Sequence, residues 1–251
     1  MSLAEPQTPS MAAQLALYLA RKGRRVWPLT VMDTRALTPH MTRVTFAVPK
    51  LGELVWKRGQ DLVLELPQPD GAIARRHYTI RDLDAAAGTL AIDFVQHGPS
   101  PAGRWLAHAG AGTMLNAAGP RGHTYLHDAD WHLFIGDETA MPGILAMLEG
   151  LPRTAEAHVF LEIGSDAERQ PAPVPVTWLS RNGKAPGPSR ILYDAVDGFA
   201  FPQGRGHAYI LGETSNVRAI RQRLIARGLG KDQTCAEGYW RPGRVGGHDH
   251  A

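Results

Sequence analysis

Residues 61–82 read DLVLELPQPDGAIARRHYTIRD, and their rhythm decides how the first half of the chain is built. DLVLEL (61–66) carries strand residues, PQPDG (67–71) supplies turn chemistry through Pro, Asp and Gly, and RRHYTIRD (75–82) resumes with strand character. Strand alternation in that second run sets Arg76 and Tyr78 on one face, with His77 and Thr79 on the other.

Working outward, the same rhythm runs from Val26 to about Leu126. RVTFAV (43–48) and TLAIDFVQH (89–97) are further strands, and PKLGE (49–53) and DAAAG (84–88) are further turns. Short strands at this spacing predict a compact antiparallel sandwich or barrel. One helix interrupts them at PSPAGRWLAHA (99–109), opening on Ser and Pro and ending near Gly110.

After Asp130 the rhythm changes. WHLFIG (131–136) is a buried-strand pattern that leads directly into the helical AMPGILAMLEGL (140–151). EAHVFLEIG (156–164), PVTWLS (175–180) and GHAYILGE (206–213) are strands, and Asn182 to Ser189 reads as a loop. In TSNVRAIRQRLIARGLG (214–230) Val217, Ile220, Leu224 and Ile225 form an apolar stripe at helical spacing. Strands alternating with helices predict a parallel sheet with covering helices. The expected fold class is therefore β followed by α/β. The divisions are an N-terminal extension (1–25), a β domain (26–127), an α/β domain (128–240) and a tail (241–251).

The 251 residues are 43% hydrophobic and 20% charged, an ordinary globular composition. Net charge is +3, with 27 Lys and Arg spread along the chain against 24 Asp and Glu, so a nucleic-acid partner is not expected. Cys235 is the only cysteine, which excludes an intramolecular disulfide and a multi-thiolate metal cluster. MAAQLALYLA (11–20) is too short to span a bilayer and lacks the flanks of a secretory signal. It reads as a short amphipathic helix from Met11 to about Arg21, and a cytoplasmic location is expected, with no membrane partner.

Read as chemistry, RRHYTIRD has two meanings. A guanidinium binds a phosphate through two parallel hydrogen bonds, and a phenol ring offers a flat stacking surface. The separation of Arg76 and Tyr78 along a strand is close to that between a dinucleotide's pyrophosphate and its ring system. The same residues also suit a strand edge carrying solvated charges and one half-buried Tyr. Spacing leaves both readings open.

The surroundings carry a resemblance. Arg-x-Tyr-Thr after a strand and turn resembles the flavin motif of the ferredoxin reductase superfamily. RRHYTIRDLD, IDFVQHG with PAGRWL, AAGPRG, FIGDETAMPGI, VTWLSR and GYWRPGR follow in the order seen in siderophore-interacting proteins, which are FAD-binding ferric-siderophore reductases. The likeness covers roughly residues 26–244. It implies an antiparallel six-stranded-type FAD-binding β-barrel followed by a parallel-sheet α/β nucleotide-binding domain.

By that resemblance Arg76 binds the FAD pyrophosphate, Tyr78 packs against the isoalloxazine or ribityl portion, and Thr79 hydrogen-bonds near the flavin N5 edge, with His77 beside them. Asp93, Val95 and His97 lie along the cofactor on one strand face, followed by Gly98. The helix start at Pro101, Ala102 and Gly103 points free N–H groups at the phosphates. Tyr239 and Trp240 return toward the flavin. Lys57, Arg58, Arg241 and Arg244 are the expected basic rim for an anionic ferric siderophore. Some members of the family carry a lysine in the strand occupied here by DLVLEL, which has Glu65 instead; that leaves room for hydroxamate or mixed siderophores.

The nicotinamide half is read from FIGDETAMPG. Asp137, Glu138, Thr139 and Ala140 form the strand-to-helix turn where the superfamily binds NAD(P)H, although two carboxylates sit where a pyrophosphate approaches, and they suit helix capping equally. In LEIGSDAER (161–169), Glu162 or Asp166 would favour NADH, whereas Ser165 and Arg169 would favour NADPH. Reduced ferredoxin is a further possible donor. The expected reaction carries electrons from NADPH or NADH through FAD to siderophore-held Fe(III), which leaves the siderophore once reduced. The alternatives are a non-catalytic siderophore-binding flavoprotein and a general flavin-dependent reductase. No metal site is expected, and the tail GGHDHA (246–251) is expected to be disordered.

Overall fold

The computed structural model describes residues 25–96, 98, 100–244 and 249–250. The N-terminal helix expected at Met11 and His97 fall outside them. The chain forms two sheets in succession.

The first sheet holds β1 (Val26–Thr38), β2 (Met41–Ala47), β3 (Asp61–Pro67), β4 (Ile73–Thr79), β5 (Asp82–Asp84), β6 (Thr89–Val95) and β7 (Met114–Arg121). Their order is β4-β3-β7-β1-β2-β6-β5, and every pairing is antiparallel. Six longer strands and the three-residue β5 make seven. Alternation fills the interior: Leu62, Leu64 and Leu66 from β3 meet Leu90, Ile92 and Phe94 from β6. Helix α1 (Pro101–Leu106) plugs this core with Trp105, whose ring lies 5.6 Å from Phe94 and 6.3 Å from Phe46.

RRHYTIRD is not one strand. It follows β3 as far as Thr79, Ile80 N–H donates to the Gln60 carbonyl at 3.0 Å, and Arg81 N–H donates to the Ala91 carbonyl at 2.9 Å. In two residues the chain leaves one edge of the sheet and joins the other. The two edge strands are thus consecutive, and this stretch bridges the gap between them.

The second sheet holds β8 (Trp131–Gly136), β9 (Glu156–Ile163), β10 (Thr177–Ser180), β11 (Gly206–Glu213), β12 (Thr234–Trp240) and β13 (Asp249–His250), in the order β10-β9-β8-β11-β12-β13. The first five are parallel, and the two-residue β13 adds antiparallel to β12. The tail expected to be disordered therefore forms a backbone ladder at residues 249–250. All residues of β8 and β11 are buried, as central strands covered on both faces must be. Helix α2 (Met141–Glu149) sets Ile144, Leu145 and Leu148 on one face, against Phe134, Leu161 and Tyr209. Helices α3 (Ile191–Asp197) and α4 (Thr214–Ala226) cover the other with Leu192, Val196, Val217, Ile220 and Leu224.

Candidate functional site

The end of β4 lies where the two sheets meet. A hydrogen bond joins the hydroxyls of Thr79 and Tyr239, the latter from β12. Thr79 also abuts α2 at Gly143, where a Cβ would come within 3.3 Å of its methyl group. Burial, and the carboxylates Glu237 and Asp61, push the Tyr239 phenol well above its usual range, so it stays protonated.

Two residues on, Arg81 is 7% exposed and donates to Glu149 of α2 at 2.7 and 2.5 Å. Its Nε lies 3.7 Å from Asp93 of β6, which accepts from Arg43 of β2 at 2.6 and 2.8 Å. Arg58 donates to the Ala146 carbonyl at 3.3 Å and lies 3.8 Å from Glu149. The sequence reads Arg43 and Arg81 as surface strand charges, and the family resemblance places Asp93 along the cofactor and Arg58 on a siderophore rim. The four instead form an ionic chain that ties the β half to α2, because a buried carboxylate needs charge partners. Burial opposes ionisation of Glu149, but Arg81, Arg58 and Arg43 outweigh it and hold its pKa low.

Arg76 and Tyr78 remain available for other work. Arg76 is half-buried, donates to the Arg75 carbonyl at 2.8 Å and makes no ion pair among the described residues. The charge of its neighbour Arg75 is already met by Glu65 at 3.2 Å. The Tyr78 ring lies 4.4 Å from Phe94, and burial pushes its phenol up despite Arg76 nearby. His77, on the opposite face, is paired with Asp61 at 2.6 Å. Val95 is half-buried at the end of β6, and Gly98 has a left-handed backbone, φ 60°, with open space where a Cβ would stand.

The start of α1 offers less than expected. Pro101 has no N–H, the Gly103 N–H is taken by the Ser100 hydroxyl at 3.0 Å, and Arg104 N–H bonds the Ser100 carbonyl. Ala102 alone keeps an N–H outside these bonds. Ser100 is the N-cap that the expected free-donor array left out, and Ser before Pro is its sequence signature.

In the α/β half, Asp137 organises the carboxyl ends of three strands. One carboxylate oxygen accepts from the Thr139 N–H at 2.8 Å and its hydroxyl at 2.5 Å; the other accepts from Glu213 N–H at 2.9 Å and Trp240 Nε1 at 2.8 Å. Gly212 makes room for it: φ is 127°, and a Cβ there would fall 2.5 Å from Asp137 Oδ2. Burial raises the Asp137 pKa, while Thr139 and Trp240 pull the other way. Ala140 caps α2 without a side-chain bond.

Glu138 is held by Arg181 at 2.9 and 2.6 Å, and Arg181 also reaches Glu162 at 3.3 Å. Glu162 accepts from the Ser189 hydroxyl at 2.9 Å and is 3% exposed, so it does not face a ribose. Asp166 and Arg169, read as rival determinants of donor choice, pair with each other at 2.8 Å beside Ser165. Glu168 turns back to the β1–β2 hairpin, accepting from Thr38 and lying 2.6 Å from His40 Nδ1. Arg181, Glu149 and Glu168 were not singled out from sequence; their partners are distant in the chain, and no local pattern marks them.

Lys57 is exposed and sits 4.0 Å above the Tyr125 ring, and Arg241 and Arg244 are exposed after β12. Trp240 is fixed through Asp137 and through its carbonyl, which accepts from Thr214 at 2.9 Å. No helix among the described residues is long and apolar enough to cross a membrane.

Comparison with known proteins matches residues 129–243 to the family described as siderophore-interacting protein and residues 63–124 to the siderophore-interacting FAD-binding domain. An uncharacterised protein of Mycobacterium tuberculosis H37Rv is 36% identical, over 89% of this chain and 93% of its own. Ferric vibriobactin reductase ViuB of Vibrio cholerae serotype O1 is 34% identical, over 70% of this chain and 68% of its own. The crystal structure of a siderophore utilization protein from T. fusca superposes with a TM-score of 0.81 at 34% identity, over 88% and 94% of the two chains.

Proposed function

Because the chain belongs to the siderophore-interacting protein family, we propose that it is an FAD-dependent oxidoreductase that reduces ferric iron held by a siderophore, with NADPH or NADH as electron donor. The observation that carries this reading is the Arg76–Tyr78–Thr79 run at the junction of the two sheets. Arg76 makes no ion pair among the described residues, Tyr78 offers a ring and Thr79 a hydroxyl, and the run lies within the part matched to a FAD-binding domain. That donor set fits FAD: a guanidinium for the pyrophosphate and an aromatic face for the cofactor's flat end.

A flavin held there would supply the link between a two-electron hydride donor and a one-electron ferric acceptor. The chain's own residues hold, orient and screen. Arg76 holds phosphate, and Tyr78, stiffened by Phe94, limits where a ring can lie. Tyr239, protonated and bonded to Thr79, closes the α/β side of the junction and excludes water from it. Lys57, Arg241 and Arg244 attract an anionic ferric complex. The donor is proposed to approach the Asp137–Ala140 turn, whose carboxylates are already engaged by Thr139, Trp240 and Arg181, leaving Ser165 and the Asp166–Arg169 pair to read its ribose.

The test is anaerobic. Purified protein is yellow, NADPH or NADH bleaches it, and a ferric siderophore restores the colour while a ferrous chelator collects one iron per electron. Protein without flavin overturns the reading. Flavin that neither nicotinamide bleaches points instead to a carrier or a reduced ferredoxin donor, and bleached flavin that no ferric siderophore reoxidises points to a general reductase.

A further inference from the structure

At the opposite end of the second sheet, three side chains that this function does not use converge. His127 lies in the link between β7 and β8, His207 near the start of β11 and Cys235 near the start of β12, separated by 108 and 28 positions from Cys235. The Cys235 sulphur is 3.4 Å from His207 Nε2 and 3.5 Å from His127 Nε2, and the three ligand atoms lie within 4.8 Å of one another. Cys235 is about 16 Å along β12 from Trp240, so the cluster is remote from the sheet junction.

We propose that His127, His207 and Cys235 form a binding site for a borderline-soft divalent cation of the zinc class. Zinc lies about 2.3 Å from a thiolate and about 2.0–2.1 Å from an imidazole nitrogen, so a tetrahedral angle sets sulphur and nitrogen about 3.5 Å apart. Both sulphur–nitrogen distances already match. One thiolate and two imidazoles select zinc, cobalt or copper over magnesium and calcium, which prefer oxygen.

Two further observations single out this end of the sheet. His207 is 2% exposed, and its Nδ1 has no hydrogen-bond partner. His132, its register partner on β8, is 3% exposed and carries a second unpartnered buried nitrogen. Imidazoles are seldom buried with a nitrogen unsatisfied unless the site has work to do.

One adjustment is required. The His127 and His207 rings are stacked, with centroids 4.4 Å apart and planes 9° from parallel, so their lone pairs do not yet converge. His207 is locked in the core, whereas His127 is half-buried and turns to complete the site. Its backbone is anchored meanwhile, since His127 N–H donates to the Tyr209 hydroxyl at 2.8 Å. Three protein ligands leave a fourth position for water.

Cobalt titration of the full, chelator-stripped flavoprotein tests the site. The expected result is one Co2+ per chain with a thiolate-to-metal charge-transfer band and strong tetrahedral visible bands, all displaced by Zn2+. Cys235→Ser should abolish the charge-transfer band, and His207→Gln should weaken binding at least about tenfold. His248→Gln with His250→Gln, in the tail, should change neither. An absent charge-transfer band, the same band in Cys235→Ser, or a weak octahedral spectrum lost with the tail histidines overturns the proposal. A measurement on the unaltered chain guards against misfolded variants: Zn2+ should protect Cys235 from alkylation, and unchanged labelling rejects the site.

Discussion

Arg81 of the β half donates two hydrogen bonds, at 2.7 and 2.5 Å, to Glu149 on the first helix of the α/β half. The arginine is 7% exposed, so its charge is bought out of water only with that partner and Asp93 beside it. Breaking a buried pair costs about 3–5 kcal/mol, and Glu149 is partly open to solvent, so Arg81→Met should lose about 2 kcal/mol in urea unfolding. A loss below about 0.5 kcal/mol would show that the bridge is ornamental.

Acid should loosen the same junction. Burial opposes ionisation of both Glu149 and Glu168, but Arg81 and its neighbours lower the first, and Thr38 and His40 lower the second. A carboxyl whose folded pKa is depressed contributes stability that is present above the ordinary value of 4.5 and is lost as pH falls through the folded value. Thermal midpoints should therefore drop below about pH 4.5, and the Glu149→Gln, Glu168→Gln double variant should show a shallower drop from a lower starting midpoint. An unchanged slope in that variant would place the acid sensitivity elsewhere.

Asp137→Asn should be severe for a nearly isosteric change. Each carboxylate oxygen accepts two donors, and an amide NH2 in either place would face donors instead. The expected loss is about 2–4 kcal/mol, with Trp240 fluorescence shifted toward that of solvated indole. Wild-type emission in the variant would remove the Trp240 contact from the account.

Arg76→Ala should weaken FAD binding by about tenfold to a hundredfold, the size of a charge-assisted hydrogen bond, while circular dichroism stays unchanged. Arg76→Lys should recover part of the loss, because it restores charge but not the planar fork. Full flavin retention in Arg76→Ala would reassign the pyrophosphate contact.

Gly143→Val should separate α2 from β4. A Cβ at this position already meets the Thr79 methyl at 3.3 Å, and a branched side chain cannot fit without moving Thr79 from Tyr239. Flavin affinity and unfolding free energy should both fall, read by fluorescence titration and urea denaturation. A variant with normal values for both would mean that the contact has slack.

The strands, the two sheet types and the family are legible because each is written locally, in period-two alternation, turn residues and short ordered motifs. Partnerships are not. Arg81 looked like surface charge because its carboxylate lies 68 positions away, and Asp93 looked available because Arg43 is 50 positions away. The start of α1 was misjudged for a different reason: Pro101 and the Ser100 cap remove donors that a generic helix would offer. The nicotinamide turn admits two readings in sequence, since its carboxylates suit capping equally, and in the fold Asp137 and Glu138 are engaged within the protein. The cluster at Cys235 was invisible because a lone cysteine acquires meaning only when folding brings histidines to it.

The bridge from Arg76 to Arg81 has one more consequence. Its first residues face the proposed cofactor and its last fasten the two halves, with only Ile80 between Thr79 and Arg81. Ligand affinity and the cohesion of the halves are therefore reciprocal quantities: whatever FAD gains from a firmly seated strand, it returns as resistance to opening, and by the same factor. Flavin-free protein should breathe at this seam first, in amides of α2 and the strand end, well before either sheet melts.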